Sequence, residues 1–333
     1  DLVTARRESY ERPGALPTVE PGTIHDDLAR RDFTVNAMAV RVEPGATGPL
    51  LDPHGGMADM QARQLRVLHD RSFIDDPTRI FRAVRLSMRL GFDIEEHTGY
   101  LIWEAIEGGA LATVSMDRIT HELRLIWREP LGAEMLYILA TVGVLDKVHP
   151  DLRRPVRSAH DGPSPGTRMD PDIRRAANLA ALGFAFSGGA DTAQALARHL
   201  RLDARETAIV RDSAALGGLW TKLLDPGLRR SEVRRLLAPL STEALEAFRL
   251  VSYPEEEYQA VIWLDEYLSQ LRHVRPALTG DYLRELGIAP GPVYREALSA
   301  LLDAKLDGEV RTRKDEERFL KDWLRQHGLM DGN

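Results

Sequence analysis

Two short segments carry residue types that could together bind a nucleotide. Arg30-Arg31-Asp32 stands at a predicted strand start, and Asp75-Asp76-Pro77-Thr78-Arg79 follows about forty residues later. A guanidinium matches phosphate with two parallel hydrogen bonds, while a carboxylate accepts hydrogen bonds from sugar hydroxyls or exocyclic amines. The first segment could therefore hold phosphate and a sugar hydroxyl, and the second could hydrogen-bond the edge of a base.

The base-contacting pair lies at the start of a predicted helix, residues 77–90. Asp76 before Pro77 is typical of a helix start, with Asp at the N-cap and Pro at the first helical position. Asp76 and Arg79 are three residues apart, so we expect their side chains to point the same way. Such a pair offers cytosine or adenine an edge like that of a complementary base. The purely structural alternative is that Asp76 only caps the helix.

The same helix carries a stripe of arginines. At about 100° per residue, four of them fall within roughly 120° of arc, opposite an apolar face: Arg79, Arg82, Arg85 and Arg89. No acidic residue lies between Asp76 and Asp93, so pairing along the helix does not neutralise them. We expect these arginines to be unpaired within the chain and to face an anion, such as a triphosphate or an RNA backbone. The alternative is an ordinary solvated face.

The elements that position these residues change character along the chain. Alternating side chains predict a strand over residues 33–42, with Asp32, Thr34 and Asn36 on one face, and shorter strands at 50–52 and 65–68. From Ser72 onward the pattern is helical. After 77–90, helices are predicted at 95–107, 116–127, 131–144, 173–184, 190–199, 204–217, 231–237, 242–250, 255–272, 279–286, 292–305 and 314–327. The fold class is therefore α+β, a small mixed head followed by a long all-helical part.

Composition bounds the function classes. The chain has 333 residues, 43% hydrophobic and 29% charged, which is typical of a folded globular protein. The absence of cysteine excludes disulfides and thiolate metal sites. No run approaches the ~18 apolar residues of a membrane helix, so we expect a cytoplasmic protein without a membrane partner. A net charge of −7 counts mildly against nucleic acid, although 44 Lys and Arg residues suffice for a local basic stripe.

The segments above resemble the class II tRNA nucleotidyltransferases, a family that includes CCA-adding enzymes, A-adding enzymes and bacterial poly(A) polymerases. Five segments carry the resemblance: 1–6 resembles the strand after the catalytic carboxylates, 27–39 the ribose-recognition motif, 51–59 the hinge between head and neck, 75–85 the base-reading motif, and 114–123 the helical motif that buttresses it. A weaker likeness at 278–283, 290–292 and 306–308 resembles the helical tail that grips tRNA. The order and spacing of Arg-Arg-Asp-Phe-Thr and Asp-Asp-Pro-x-Arg make the resemblance specific.

The resemblance implies a domain order and an activity. It implies the C-terminal part of a nucleotidyltransferase head at 1–70, a neck with the base-reading motif at 71–148, a helical body at 149–275, and a tRNA-binding tail at 276–333. The activity implied is template-independent addition of C, A or both to the 3′ end of tRNA, from CTP and/or ATP. The primer hydroxyl attacks the α-phosphorus with the help of two Mg²⁺ ions.

The resemblance also assigns roles to residues. It implies that Asp76 and Arg79 bind the base, that Arg31, Asp32 and Asn36 bind the ribose, and that Arg82 and Arg85 bind triphosphate or primer phosphate. Gly55 and Gly56 form the implied hinge. The Asp-x-Asp metal pair and a phosphate-binding Gly-Gly loop are expected upstream of Asp1, so no catalytic carboxylate is assigned within this sequence. Asp1 is the one candidate supporting metal ligand, and we expect this chain alone to be inactive.

Two alternatives remain open at this point. The first is a poly(A) polymerase acting on mRNA, which a long basic tail would favour; residues 311–317 have mixed charge instead. The second is a non-catalytic RNA- or nucleotide-binding module. The sequence specifies neither the nucleotide added nor the oligomeric state.

Overall fold

The computed structural model describes residues 3–9, 11–152, 170–184, 189–249 and 258–330. The chain divides into two compact units, Asp1–Ala214 and Ala215–Asn333. The predicted α+β class is confirmed, because every strand in the described ranges lies in the first 94 residues and helices follow. The four-domain division stays a prediction. Within those ranges no helix is both long and apolar enough to cross a bilayer.

The strands are short and pair in twos. They are β1 (Arg6–Ser9), β2 (Thr18–Pro21), β3 (Ala39–Glu43), β4 (Ala46–Leu51), β5 (Gln64–Leu65) and β6 (Asp93–Ile94). β1 and β2 pair antiparallel, as do β3 and β4, whereas β5 and β6 pair parallel. Of the strand predicted at 65–68, only Leu65 lies in a strand, as the second residue of β5.

The helices described in the first unit include the one that carries the arginine stripe. They are α1 (Ile24–Ala29), α2 (Gly56–Ala62), α3 (Ser72–Asp75), α4 (Arg79–Leu90), α5 (Glu96–Glu107), α6 (Met116–Trp127), α7 (Gly132–Thr141), α8 (Val144–Val148), α9 (Pro171–Phe184) and α10 (Gly189–His199). α11 (Ala204–Leu223) contains the boundary between the units. In α6, residues Ile119, Leu123 and Ile126 are buried at helical spacing, which fixes the face turned to the core.

The strand predicted over 33–42 is wrong in its first half. Thr34–Asn36 form a 3-10 turn, and the strand begins only at Ala39. The Asp32 carboxylate accepts hydrogen bonds from the Phe33 amide and the Asn36 side chain, both at 3.0 Å, which closes the turn. These local side-chain contacts offer the backbone an alternative to the ladder.

The predicted start of the striped helix is two residues early. α4 begins at Arg79, and Asp76 before it is extended, with φ −138° and ψ 90°. Oδ1 of Asp76 nevertheless accepts hydrogen bonds from the Thr78 amide (3.0 Å) and the Thr78 hydroxyl (2.6 Å). Asp76 therefore caps the turn that leads into α4. Ile80, Phe81 and Val84 are buried, as the apolar face predicted.

The second unit contains helices that follow the predicted order. They are α12 (Arg230–Leu237), α13 (Thr242–Arg249), α14 (Tyr258–Ser269), α15 (Gly280–Glu285), α16 (Pro292–Leu306) and α17 (Arg313–Gln326). Leu283, Leu301 and Leu320 are fully buried in one apolar cluster between α15, α16 and α17. The buried Glu316 carboxylate is satisfied there by the amides of Ala277 and Leu278 (2.8 and 2.9 Å) and by Lys305.

Candidate functional site

A cavity of about 560 Å³ lies in the first unit, a size suited to a small-molecule ligand. β1, the residues after α1, the 3-10 turn, the start of α4 and the first half of α6 contribute its walls. Six arginines and five carboxylates line it, and we call it the arginine cavity. Six of the predicted site residues line it: Arg31, Asp32, Asn36, Asp76, Arg79 and Arg82. Arg85 is not among the lining residues.

The Asp76 carboxylate presents its two oxygens unequally. Oδ1 accepts two hydrogen bonds from Thr78 and lies 2.8 Å from Nη2 of Arg118. No group in the described part of the chain donates a hydrogen bond to Oδ2. A carboxylate oxygen without a partner on a cavity wall can accept a hydrogen bond from a ligand.

Arg79 is almost fully buried beside Asp76, with 5% of its surface exposed. Its Nη1 donates to the Ser72 hydroxyl at 2.7 Å, and its Nη2 donates to the Arg30 carbonyl at 3.0 Å. These bonds use two of the five N–H donors of a guanidinium. The guanidinium is therefore fixed in the cavity wall and keeps donors for a ligand.

Asp32 lines another part of the cavity, and both of its carboxylate oxygens already accept hydrogen bonds. Oδ1 accepts from Phe33 and Asn36, and Oδ2 accepts from both Nε (2.8 Å) and Nη2 of Arg82. Burial alone would raise the pKa of Asp32, but the charge of Arg82 and these hydrogen bonds outweigh it and lower the pKa. Asp32 is thus an ionised carboxylate with about four filled acceptor positions.

Arg31, the other predicted ribose residue, is also paired within the chain. Its Nη2 donates to Asp27 at 2.6 Å, and Arg30 binds the other oxygen of the same carboxylate at 2.7 Å. Nη1 of Arg30 reaches Glu8 on β1 at 3.0 Å. Asp27 is buried, so the two arginines hold one carboxylate below the cavity surface.

The expectation that the arginine stripe is unpaired within the chain is wrong. Arg82 pairs with Asp32, and Arg85 lies between two carboxylates, Glu122 at 3.5 Å and Glu129 at 3.4 Å. Arg89 lies 3.8 Å from Glu129. The acids come from other elements of the fold, so the absence of acids within the helix did not predict them.

Glu122 is a buried carboxylate on the cavity wall. Its Oε2 and Nη1 of Arg85 face each other at 3.5 Å, and neither atom has a hydrogen-bond partner among the residues that the structure describes. Burial raises the pKa of Glu122, against the lowering effect of Arg82 and Arg85. The pKa of Arg82 is itself raised: burial opposes this, and Asp32 and Glu122 outweigh it.

The two predicted hinge glycines are held in the packed N-terminus of α2. Gly55 has φ +75°, and the amide of Gly56 donates to Asp52 at 2.7 Å. A Cβ at Gly56 would lie 2.2 Å from the Thr34 carbonyl oxygen, so only glycine fits there. Pivoting about these residues stays a prediction.

Thr78, Arg118 and Glu122 are among the lining residues that sequence reasoning did not assign. Arg118 and Glu122 are four residues apart on α6 and line the cavity, while Ile119 and Leu123, each one position further along, are buried in the core. That spacing puts both polar side chains on one helix face, which was the available signal. Asp1, the candidate metal ligand, lies outside the described residues.

Comparison with known proteins places the chain among relatives. Residues 1–66 match a family model described as the poly A polymerase head domain. The chain is 36% identical to an A-adding tRNA nucleotidyltransferase of Geobacter sulfurreducens, over 96% of its own length and 37% of that protein's. It is 32% identical to an A-adding enzyme of Halalkalibacterium halodurans and to a CC-adding enzyme of Deinococcus radiodurans, over 97% of its own length and 74% and 73% of theirs.

Solved structures resemble the chain as well. A CCA-adding enzyme in its apo form superimposes with a TM-score of 0.74 at 28% identity, covering 97% of this chain and 76% of that one. A CCA-adding enzyme in complex with ATP gives 0.69 at 25% identity, covering 100% and 82%. The Thermotoga maritima CCA-adding enzyme in complex with tRNA gives 0.68 at 27% identity, covering 90% and 74%.

The chain combines a small mixed head, a helical part that follows it, and a cavity of arginines and carboxylates. This combination assigns it to the class of nucleotidyltransferases with a mostly helical fold. Within this class, the chain belongs to the family of class II tRNA nucleotidyltransferases and bacterial poly(A) polymerases. It spans little more than a third of the Geobacter relative and about three quarters of the two others.

Proposed function

We propose that the protein adds C, A or both to the 3′ end of tRNA without a template, using CTP and/or ATP. The observation that carries the proposal is one cavity that joins a base-edge pair, Asp76 and Arg79, to a sugar and phosphate pair, Asp32 and Arg82. Relatives named as A-adding and CC-adding enzymes support tRNA as the acceptor. Because an A-adding and a CC-adding relative are equally identical to this chain, the proposal does not specify which nucleotide is added.

The roles follow from the contacts around each side chain. Oδ2 of Asp76 accepts from an exocyclic amine while Arg79 donates to a ring nitrogen or carbonyl oxygen. Asn36 and Asp32 bind the ribose hydroxyls, with Arg31 behind them. Arg82, which keeps 38% of its side chain exposed, moves from Asp32 to phosphate when a nucleotide binds. Arg85 is paired with Glu122 and Glu129 and does not line the cavity, so it acts on the phosphate from behind the cavity wall.

Magnesium belongs to the proposal, but the described cavity residues do not fit a metal ion. The cavity carboxylates Glu8, Asp32, Asp76 and Asp117 each pair with an arginine. Among the described residues, no group of three carboxylate or imidazole side chains is arranged to hold a metal. We propose that the Mg²⁺ ligands precede Asp1, and no step here is derived through the metal.

Incorporation of labelled nucleotide tests the proposal. Tracer CTP or ATP is added with Mg²⁺ to tRNA lacking its 3′-terminal CCA, or to tRNA ending in CC. The assay uses the chain alone and the chain extended with an upstream Asp-x-Asp segment. Incorporation only after extension supports the proposal. Failure of both proteins contradicts it and favours a non-catalytic module, while preference for an mRNA 3′ end over tRNA favours a poly(A) polymerase.

A further inference from the structure

We propose that Arg118 is a positioning residue for Asp76, and that it sets which single carboxylate oxygen meets the base. The inference rests on the proposed function, since it concerns how that site selects its nucleotide. Arg118 is on the first turn of α6, a helix that packs against α4, α7 and α9. Its guanidinium is the one described link from α6 to the Asp76 carboxylate.

Three donors converge on the same Asp76 oxygen. The Thr78 amide, the Thr78 hydroxyl and Nη2 of Arg118 lie 3.0, 2.6 and 2.8 Å from Oδ1. A carboxylate with one oxygen held this way cannot rotate about its last bond without breaking charge-assisted hydrogen bonds. Oδ2 is then the oxygen available to the cavity.

The guanidinium of Arg118 is itself fixed at its other end. Nη1 donates to the Gly14 carbonyl at 3.0 Å, and the Gly14 amide donates to the Asp75 carbonyl at 3.2 Å. Gly14 has φ +70°, and a Cβ there would lie 2.1 Å from the Thr113 hydroxyl. The close packing holds the Gly14 carbonyl in place, so Arg118 spans two fixed acceptors.

This arrangement gives the site a chemical preference. A lone anionic oxygen accepts from the exocyclic amine of cytosine or adenine. It repels the carbonyl oxygen that uracil or guanine presents at the corresponding position. If the carboxylate were free to rotate, it could turn away from a carbonyl, and the penalty for the wrong base would fall. Arg118 therefore contributes to selection without touching the base.

The test compares matched lysine variants in the chain extended with an upstream Asp-x-Asp segment. Arg118→Lys keeps the charge but replaces a planar fork by a compact ammonium that does not reproduce both contacts. Arg124→Lys is the control, because Arg124 lies on the same helix and pairs with Glu206 outside the cavity. The measurement is kcat/KM with tRNA for the natural nucleotide relative to UTP and GTP, together with Tm.

We expect Arg118→Lys to lower that discrimination by about tenfold, since the close ion pair that holds the Asp76 carboxylate is disturbed. Thr78→Val, which removes only the hydroxyl donor, is expected to lower it less. Arg124→Lys should leave the ratio unchanged. Discrimination that survives both cavity variants, or an equal loss for all four nucleotides, overturns the role of Arg118. Wild-type protein that incorporates no nucleotide instead overturns the proposed function.

Discussion

The two sides of the arginine cavity are prepared differently. On the base side, Asp76 is held by Thr78 and Arg118 and keeps one oxygen without a donor from the described residues. On the sugar and phosphate side, Asp32 and Arg82 are bound to each other. The base side is thus preset, whereas the other side must exchange partners before it can hold a ligand.

The difference has an energetic reason. A carboxylate and a guanidinium that both need a ligand would be left buried without partners in the empty site, which is costly. Pairing Asp32 with Arg82 removes this cost. A ribonucleotide offers hydroxyls to the carboxylate and phosphate to the guanidinium, so it can replace both halves of the pair at once.

The largest effect is expected on the base side. Replacing both Asp76 and Arg79 by alanine removes every proposed contact to the base edge, and a good bidentate contact contributes about 1–3 kcal/mol of discrimination. We expect the preference for CTP or ATP over UTP and GTP to fall by about 100-fold in the chain extended with an upstream Asp-x-Asp segment. Competition assays with labelled nucleotides measure it.

Because Arg79 is buried, its replacement also lowers stability, so a second variant that leaves Arg79 in place is needed. Asp76→Asn keeps the shape of the side chain, removes its charge and replaces one acceptor oxygen by an NH2 donor. It is expected to reduce discrimination without a large loss in Tm. Undiminished preference in both variants would mean that the base is read elsewhere.

The next largest effect concerns Gly56, which packs against the turn that follows Asp32. The Thr34 carbonyl, two residues from Asp32, lies 2.2 Å from where a Cβ of Gly56 would be. Gly56→Ala should therefore lower the free energy of unfolding by about 2 kcal/mol through overpacking. Gly55→Ala meets no atom within 4 Å and serves as the control, although its φ of +75° still carries some strain. Denaturant unfolding compares the two; equal losses would argue against close packing at Gly56.

Local sequence patterns predicted the helices and strands far better than the contacts between residues that are distant in the sequence. The helical pattern predicted a helix over residues 116–127, which are the bounds of α6. The 3-10 turn at Thr34–Asn36 was missed, because a side-chain cap competed with an alternation that suited a strand.

The site was predicted as a set of residues and not as a set of contacts. The resemblance placed Asp32, Asp76, Arg79 and Arg82 in one pocket, and all four line the cavity. The bond between Arg82 and Asp32 spans 50 positions, so no helical spacing rule foresees it. The same holds for Arg118 and Asp76, which meet only because α6 begins beside the start of α4.

Arg82→Gln tests whether the sugar side exchanges partners. It removes the competitor for Asp32 along with the proposed phosphate contact. Adenosine or cytidine, which offer a sugar and no phosphate, should then bind about fivefold more tightly than to wild type, as expected when the partly buried ion pair no longer competes. The triphosphates should bind more weakly. Calorimetry measures both, with Arg89→Gln as the control outside the cavity. Nucleoside affinity that does not rise would mean that Asp32 has no part in sugar binding.

The smallest effect concerns Glu122, which faces Arg82 across the cavity wall. Burial raises its pKa, so the folded protein binds this proton more tightly than the unfolded chain. Its ionised form therefore lowers stability as pH rises through the raised pKa, and the loss disappears below the ordinary glutamate pKa of about 4.3. Glu122→Gln should then be more stable than wild type at pH 8, by about 1 kcal/mol or roughly 2–4 °C in Tm. The difference should vanish near pH 4. Glu129→Gln, which removes the other partner of Arg85, should lose stability at pH 8 instead. If Glu122→Gln were also less stable there, the ionised carboxylate would be a net support for the two arginines and not a strained neighbour of them.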